Sequence, residues 1–308
     1  MIHKAGDQFP LFYRSSKNGV LRASLFLRTM KEEILETRLP NGLTILTDRM
    51  QGVRSATLGF FYRVGSRNEP DELNGISHFI EHTVFKGTSR RTSLEIAIEQ
   101  DRLGGNLDAF TTHEETGFAI KVIDDQLPAA FDLIADMLTD PRFDTADLES
   151  EQRVIIEEMK MTDDSPEEFL GEVFYREFFP GHPLGMSIAG TPETVRSFDR
   201  ELTQKYHEQN FNAANLIIAA AGNVDHENLV DMVNATAHFS NGKIRNPQSA
   251  IRNPNPAAPI VIEQKADLEQ AHMIVAFPFV DARDERRYAA DVLSNVIGGG
   301  TSSRLWQK

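Results

Sequence analysis

The stretch GISHFIEHTVFKG, residues 75–87, constrains the chain most, because its apolar and polar residues cannot both be satisfied on a freely exposed helix. Positions i and i+4 of a helix share one face, so His78 and His82 project side by side with Glu81 next to them. Ile76, Phe79, Ile80 and Val84 cover the rest of the circumference, which predicts a helix buried on its other sides. Burial makes the polar stripe informative, since an unpaired imidazole or carboxylate inside a protein costs several kcal/mol. Two histidines at this spacing are often a solvated face or a satisfied core pair. A glutamate directly before the second favours a metal site, with both rings aimed at one tetrahedral ion.

The 308 residues include no cysteine, so disulfides are excluded and histidine and carboxylate must supply any metal ligands. Zinc with an open catalytic position takes three protein ligands. The third is sought in the helix expected over residues 145–162, which offers Glu149, Glu151, Glu157 and Glu158. Glu149, Arg153 and Glu157 fall at i, i+4 and i+8, an ion-paired ridge that should face water. Glu151, Val154, Ile155 and Glu158 fall at i, i+3, i+4 and i+7, so Glu151 and Glu158 share a face with apolar neighbours. A bound cation supplies a reason to bury those two carboxylates.

Around these segments the chain alternates strand and helix signals. The turn Pro40-Asn41-Gly42 leads into a strand at residues 43–47, within a hairpin. Further strands are expected at 55–64, 107–112, 116–123 and 215–222, and helices at 93–103, 127–139 and 227–238. A Pro- and Gly-rich loop is expected near 179–192. The pattern predicts an α+β fold, a two-layer domain of sheet and helices. Residues 241–258, rich in Pro and Asn, read as a linker. Beyond them ATLGFFYRVGSRNEP is echoed by AHMIVAFPFVDARDE, and HTVFKGTSRR by NVIGGGTSSR. This internal repeat predicts that residues 259–308 begin a second, homologous domain, too short to bury a core alone.

Residues 1–29 carry five Lys or Arg against the single acid Asp7 and lack an apolar h-region, so they are no secretory signal. They read as a disordered extension, equally consistent with an organellar transit peptide and with a start at Met30, and the catalytic domain would then span 30–240. No apolar run approaches the roughly 18 residues that a membrane span needs. A formal charge of −14 repels nucleic acid and anionic membrane and leaves a peptide or small molecule as the partner. These features place the protein in the cytoplasm, with the mitochondrial matrix as the alternative.

H78-F-I-E-H82 is an inverted zinc-peptidase signature, and with F85-K-G-T88 it resembles the pitrilysin and mitochondrial processing peptidase family. PNGLTILTDRM at 40–50, VGSRNEP at 64–70, LGGNLDAFTTHEET at 103–116, the helix from Glu151 to Met159 and GGGTSSRL at 298–305 agree with it in the family's order. The resemblance implies one zinc per chain on His78, His82 and Glu158, with Glu81 as general base and Glu151 as a supporting carboxylate. It also implies a substrate strand, in which Asp108, Ala109, Phe110 and Thr111 bind an extended peptide through its backbone. Asp108 stands where asparagine is common in the family.

The expected activity is a zinc endopeptidase acting on unfolded peptides or presequences. Family members close two homologous halves over the substrate, and the second half supplies an Arg and a Tyr that follow the SRL block. The chain stops at Lys308 before they would appear, so the expectation is a fragment or a subunit completed by another chain, as a homodimer or a heterodimer. The alternative is a non-catalytic partner subunit. GGGTSS lacks the Gly-Lys-Ser/Thr ending of a phosphate loop. His113, His182, His207, His226, His238 and His272 fall outside any ligand spacing, and surface or loop roles suffice for them.

Overall fold

The computed structural model describes residues 34–236, 239, 257, 260–264, 270–277, 279–281 and 283–308. Its centre is a six-stranded sheet formed by β1 (Ile34–Arg38), β2 (Thr44–Arg49), β3 (Ser55–Tyr62), β4 (Leu107–Thr111), β5 (Thr116–Ile123) and β6 (Leu216–Gly222). The spatial order is β1-β2-β6-β3-β5-β4, with β2 and β6 parallel and every other neighbouring pair antiparallel. The first hairpin is closed at Pro40-Asn41-Gly42, where the Leu39 N–H donates to Leu43 O and Gly42 adopts φ +92. Strand β4 forms one edge of the sheet, paired on one side with β5.

Alternation along the strands sorts the two faces. Ala56, Leu58, Phe60 and Tyr62 of β3 and Phe118 and Ile120 of β5 are buried in one core. That core also takes in α1 (Ile76–Thr83), α2 (Ser93–Leu103), α3 (Leu127–Thr139) and α4 (Thr145–Asp164). Phe60 and Phe131 meet at 5.6 Å between ring centroids. The other face carries Phe61 and Phe110, 6.4 Å apart, and is left partly open. This is the expected α+β arrangement of a sheet covered by helices on one side.

Helix α2 starts with a reciprocal capping box between Thr92 and Glu95 and ends at Gly104, left-handed at φ +66. Four further helices complete the described fold: α5 (Pro166–Phe178), α6 (Pro192–Arg196), α7 (Arg200–Asn210) and α8 (His226–Ala235). Helices α5, α6 and α7 were not expected as elements, and β1 only as the unplaced partner of the expected hairpin. Strand β1 exposes Ile34 and Leu35, and α7 is predominantly polar, so neither shows a strong apolar period.

Past residue 257 the described residues carry one regular element. A helix, α9 (Arg287–Gly298), forms where the repeat places one. The described residues within 271–279, where the repeat places a strand, lie outside the six-stranded sheet. The expected extension at 1–29 and most of the linker lie outside the described residues.

Candidate metal centre

Helix α1 is built as its pattern demands. Ile76, Phe79 and Ile80 are fully buried, and Phe79 packs on Phe198 at 5.3 Å between ring centroids. The opposite stripe carries His78, Glu81 and His82, whose imidazole centroids His78–His82 are 4.6 Å apart. Gly75 precedes the helix at φ +97, and a Cβ there would meet Ala189 O at 2.5 Å, so no other residue fits the position.

Helix α4 crosses this stripe and separates its four glutamates by exposure. Glu149 and Glu157 face solvent with Arg153, and Glu157 pairs with Lys160 at 2.6 Å. The ridge is exposed as expected, with that ion pair in place of one to Arg153. Glu151 is buried and Glu158 half-buried. Val154, expected on the buried face, is 41% exposed, because the apolar stripe of α4 narrows to Leu148, Ile155 and Ile156.

Among the described residues His78, His82 and Glu158 form one possible cation-binding group, each offering a donor atom within 4.8 Å of the others. The His82 Nε2 to Glu158 Oε2 separation is 3.6 Å. That is too long for a hydrogen bond but close to the ~3.4 Å between two ligand atoms of a tetrahedral ion with bonds of ~2.1 Å. His78 Nδ1 is buried and has no hydrogen-bond partner among the described residues. Burial, then the neighbouring His82, lowers its pKa to about 4, so the ring is neutral at pH 7 and carries a free lone pair. Two imidazoles and one carboxylate with donor atoms this close together fit a zinc ion with an open coordination position.

The surroundings of His82 fix its tautomer. Its Nδ1 lies 3.3 Å from Glu151 Oε2, and Lys86 Nζ lies 2.7 Å from Glu151 Oε1. Burial raises the Glu151 carboxyl, but the hydrogen bonds from His82 and Lys86 outweigh it and hold the group below its ordinary value. An ionised carboxylate only accepts, so the proton of neutral His82 sits on Nδ1 and Nε2 keeps its lone pair towards Glu158. Burial lowers the His82 pKa, and the contact with Glu151 and the charges of Glu158 and Glu81 raise it further than burial lowers it.

Glu81 is buried beside the group and accepts a hydrogen bond from Thr111 Oγ1 at 2.6 Å. Burial pushes its carboxyl upwards, partly offset by the Thr111 bond and the His82 charge. Thr111 is the last residue of edge strand β4, so the candidate base is tied directly to the candidate substrate strand. Asp108 instead accepts from Asn106 Nδ2 at 2.5 Å, and Phe110 is 37% exposed on the open face. Ala109 packs against the core.

Lys86 and the link from Thr111 to Glu81 had no ligand-type signal in the sequence; Lys86 sits in the quoted FKGT block, without a role read from it. Two histidines depart from their expected surface or loop placement. His207 is buried, with Nε2 3.0 Å from Leu138 O, and His226 bridges Thr37 and Thr47 hydroxyls, each at 2.8 Å. Both have polar partners inside the fold, which periodicity alone does not reveal.

Residues 44–192 match the insulinase family, peptidase family M16, and residues 197–308 match the peptidase M16 inactive domain. An uncharacterized zinc protease of Streptomyces coelicolor is 38% identical over 281 residues, covering 89% of this chain and 61% of its own length. One of Mycobacterium leprae is 37% identical, covering 96% of the chain and 67% of its own length. The crystal structure of a protease from Helicobacter pylori has the same fold at a TM-score of 0.74 and 23% identity, over 90% of this chain and 68% of that one. The chain thus spans about two thirds of the length of the relatives it matches.

Proposed function

The chain belongs to the insulinase family of peptidases, family M16, and we propose that it is a zinc-dependent endopeptidase cleaving unfolded peptides or presequences. The observation that carries this reading is the joining of three donors, His78, His82 and Glu158, to a buried base, Glu81, that is hydrogen-bonded to an edge strand. His78, His82 and Glu158 would hold a zinc ion, which would supply Lewis-acid polarisation of the scissile carbonyl and make water a stronger acid. Glu81 takes the proton of the attacking water and returns it to the leaving amine, a role favoured by burial, which raises its carboxyl above the ordinary value. Glu151 and Lys86 hold the His82 ring in place. Strand β4, with Asp108, Ala109, Phe110 and Thr111, pairs with the substrate backbone, so affinity is largely independent of side-chain sequence.

Sheet strand β6 and helix α8 belong to the fold that carries the site, which supports a catalytic domain over 30–240, a linker at 241–258 and a second homologous domain beginning at 259. That second unit exposes Ile260 at 95%, Ile262 at 80%, Met273 at 82% and Phe277 at 78%, a surface that calls for cover. It favours a second reading in which activity needs a further homologous half, within the same protein or from a homodimeric or heterodimeric partner. No helix among the described residues is long and apolar enough to cross a membrane. The likeness to the zinc proteases of Streptomyces coelicolor and Mycobacterium leprae favours the cytoplasm, with the mitochondrial matrix as the alternative.

The test is cleavage of a mixture of quenched peptides with and without a chelator. Chelator-sensitive cleavage that Glu81→Gln abolishes supports the endopeptidase. Absence of cleavage by zinc-loaded protein, both alone and with the portion of a longer relative that lies outside the match added, contradicts it.

A further inference from the structure

The block VGSRNEP, residues 64–70, holds neither a ligand nor a base, yet it is fastened to both halves of the site. At one end Glu69 is 6% exposed. Its Oε2 accepts from the backbone N–H of Gly75 at 2.7 Å and from Asn74 Nδ2 at 3.3 Å, and its Oε1 accepts from the N–H of Ser77 at 2.8 Å. Burial raises the Glu69 carboxyl, and these bonds, all from donors, oppose that rise and use both oxygens as acceptors. Amides at a helix start have no acceptor inside the helix, and the residue that would ordinarily cap α1 is Gly75, which has no side chain. The cap is supplied from six residues upstream, where a negative charge also suits the positive end of the helix.

At the other end the same turn grips the β4–β5 hairpin. The Ser66 N–H donates to Thr112 O at 3.1 Å and the Arg67 N–H to His113 O at 2.9 Å. Arg67 Nη1 donates to Glu114 Oε1 at 2.5 Å, and Ser66 Oγ lies 2.9 Å from His113 Nδ1. Gly65 comes so close that a Cβ would sit 2.4 Å from Thr112 O. Thr112 follows Thr111, the residue bonded to Glu81.

We infer that Glu69 is a positioning residue of the metal centre: its buried carboxylate pins the first turn of α1 to a turn fastened to the β4–β5 hairpin. This brace sets the depth of His78, Glu81 and His82 against strand β4. A helix start held instead by water would let α1 slide or fray at its first turn, one residue from His78. The inference rests on the metal reading for its ligands, but the bracing of α1 is a property of the metal-free fold.

Glu69→Gln tests it, because the amide keeps the shape while replacing one acceptor oxygen with a donor that faces an N–H. Two readouts are compared with wild type: hydrogen exchange of backbone amides in metal-free protein, and zinc affinity by competition with a chromophoric chelator. The core variant Ile218→Val, in strand β6 and outside the α1 cap, serves as the control for lost stability. Glu69→Gln should speed exchange across residues 75–83 at least about tenfold while α3 exchanges as in wild type. It should weaken zinc binding by about 10- to 100-fold, as loss of groups that orient ligands typically does, with the control unchanged. Asn74→Ala, which keeps the carboxylate and removes one of its donors together with the bond from Asn74 Nδ2 to Ser187 O at 2.9 Å, should move both readouts the same way by less, and serves if Glu69→Gln does not fold.

Wild-type exchange in α1 together with wild-type affinity overturns the inference. So does an affinity loss matched by the control. A wild-type protein that binds no zinc defeats the metal reading instead, and the exchange pattern then still decides whether Glu69 braces α1.

Discussion

Glu151 occupies the most informative position, because its two oxygens face different partners, His82 Nδ1 and Lys86 Nζ. A buried carboxylate with two cationic or N–H neighbours is worth more as an orienting group than as a ligand, and that separates its role from that of Glu158 seven residues later. Lys86→Met should therefore loosen Glu151 and lower zinc affinity by about 10-fold or more, measured by chelator competition, without changing the ligands themselves. The proposed role of Glu81 is in the chemistry and not in holding the metal. Its replacement by Gln should leave zinc content at the wild-type level and cut turnover by about 10²- to 10⁴-fold, the ordinary worth of a positioned acid-base group; a fully active variant would remove Glu81 from its role.

Between elements, His207 joins α7 to the end of α3 through Leu138 O and is sandwiched by Phe143 and Phe211. Burial lowers its pKa from 6.5 to about 4. The unfolded chain therefore takes up this proton first as pH falls, and stability is complete above pH 6.5 and drains away towards pH 4. Between pH 7 and pH 5 this group alone should cost about 2 kcal/mol, at 1.36 kcal/mol per pH unit below its unfolded pKa. Urea denaturation of His207→Gln at both pH values should show that much less pH dependence than wild type.

The sequence made several elements legible for a common reason. Helix α2 and α3 have apolar periods bounded by Thr92, Gly104 and Pro128, and both were expected over the residues they occupy. In α1 and α4 the spacing of His78, His82 and Glu158 was readable because both helices are regular. What stayed hidden depends on contacts between distant residues. His207 and His226 look like surface histidines until Leu138 O, Thr37 and Thr47 are brought to them. Glu69 reads as a loop acid until the bare amides of Gly75 and Ser77 arrive beside it.

Over the whole molecule, the described residues divide into a well-packed sheet-and-helix unit that holds the candidate site and a C-terminal stretch that exposes its apolar side chains. A groove of about 790 Å³ lies between α5 and this stretch, lined by Phe169, Val173, Phe174, Ile260, Ile262 and Met273, and includes none of the site residues. Its size reflects apolar surfaces that meet incompletely, and it is not the catalytic cleft. A chain with such a surface should associate: sedimentation should show species above the mass of one chain. Ile262→Lys with Phe277→Lys should shift them towards monomer without altering zinc content.

The central claim is that His78, His82 and Glu158 hold one zinc ion while Glu81 does not. Metal analysis of purified wild type, Glu158→Gln and Glu81→Gln, each dialysed against the same trace of zinc, tests it most directly. The account predicts about one zinc per chain in wild type and in Glu81→Gln, and little in Glu158→Gln, the loss expected when one of three ligands is removed. Full zinc in Glu158→Gln, or none in wild type, would contradict it.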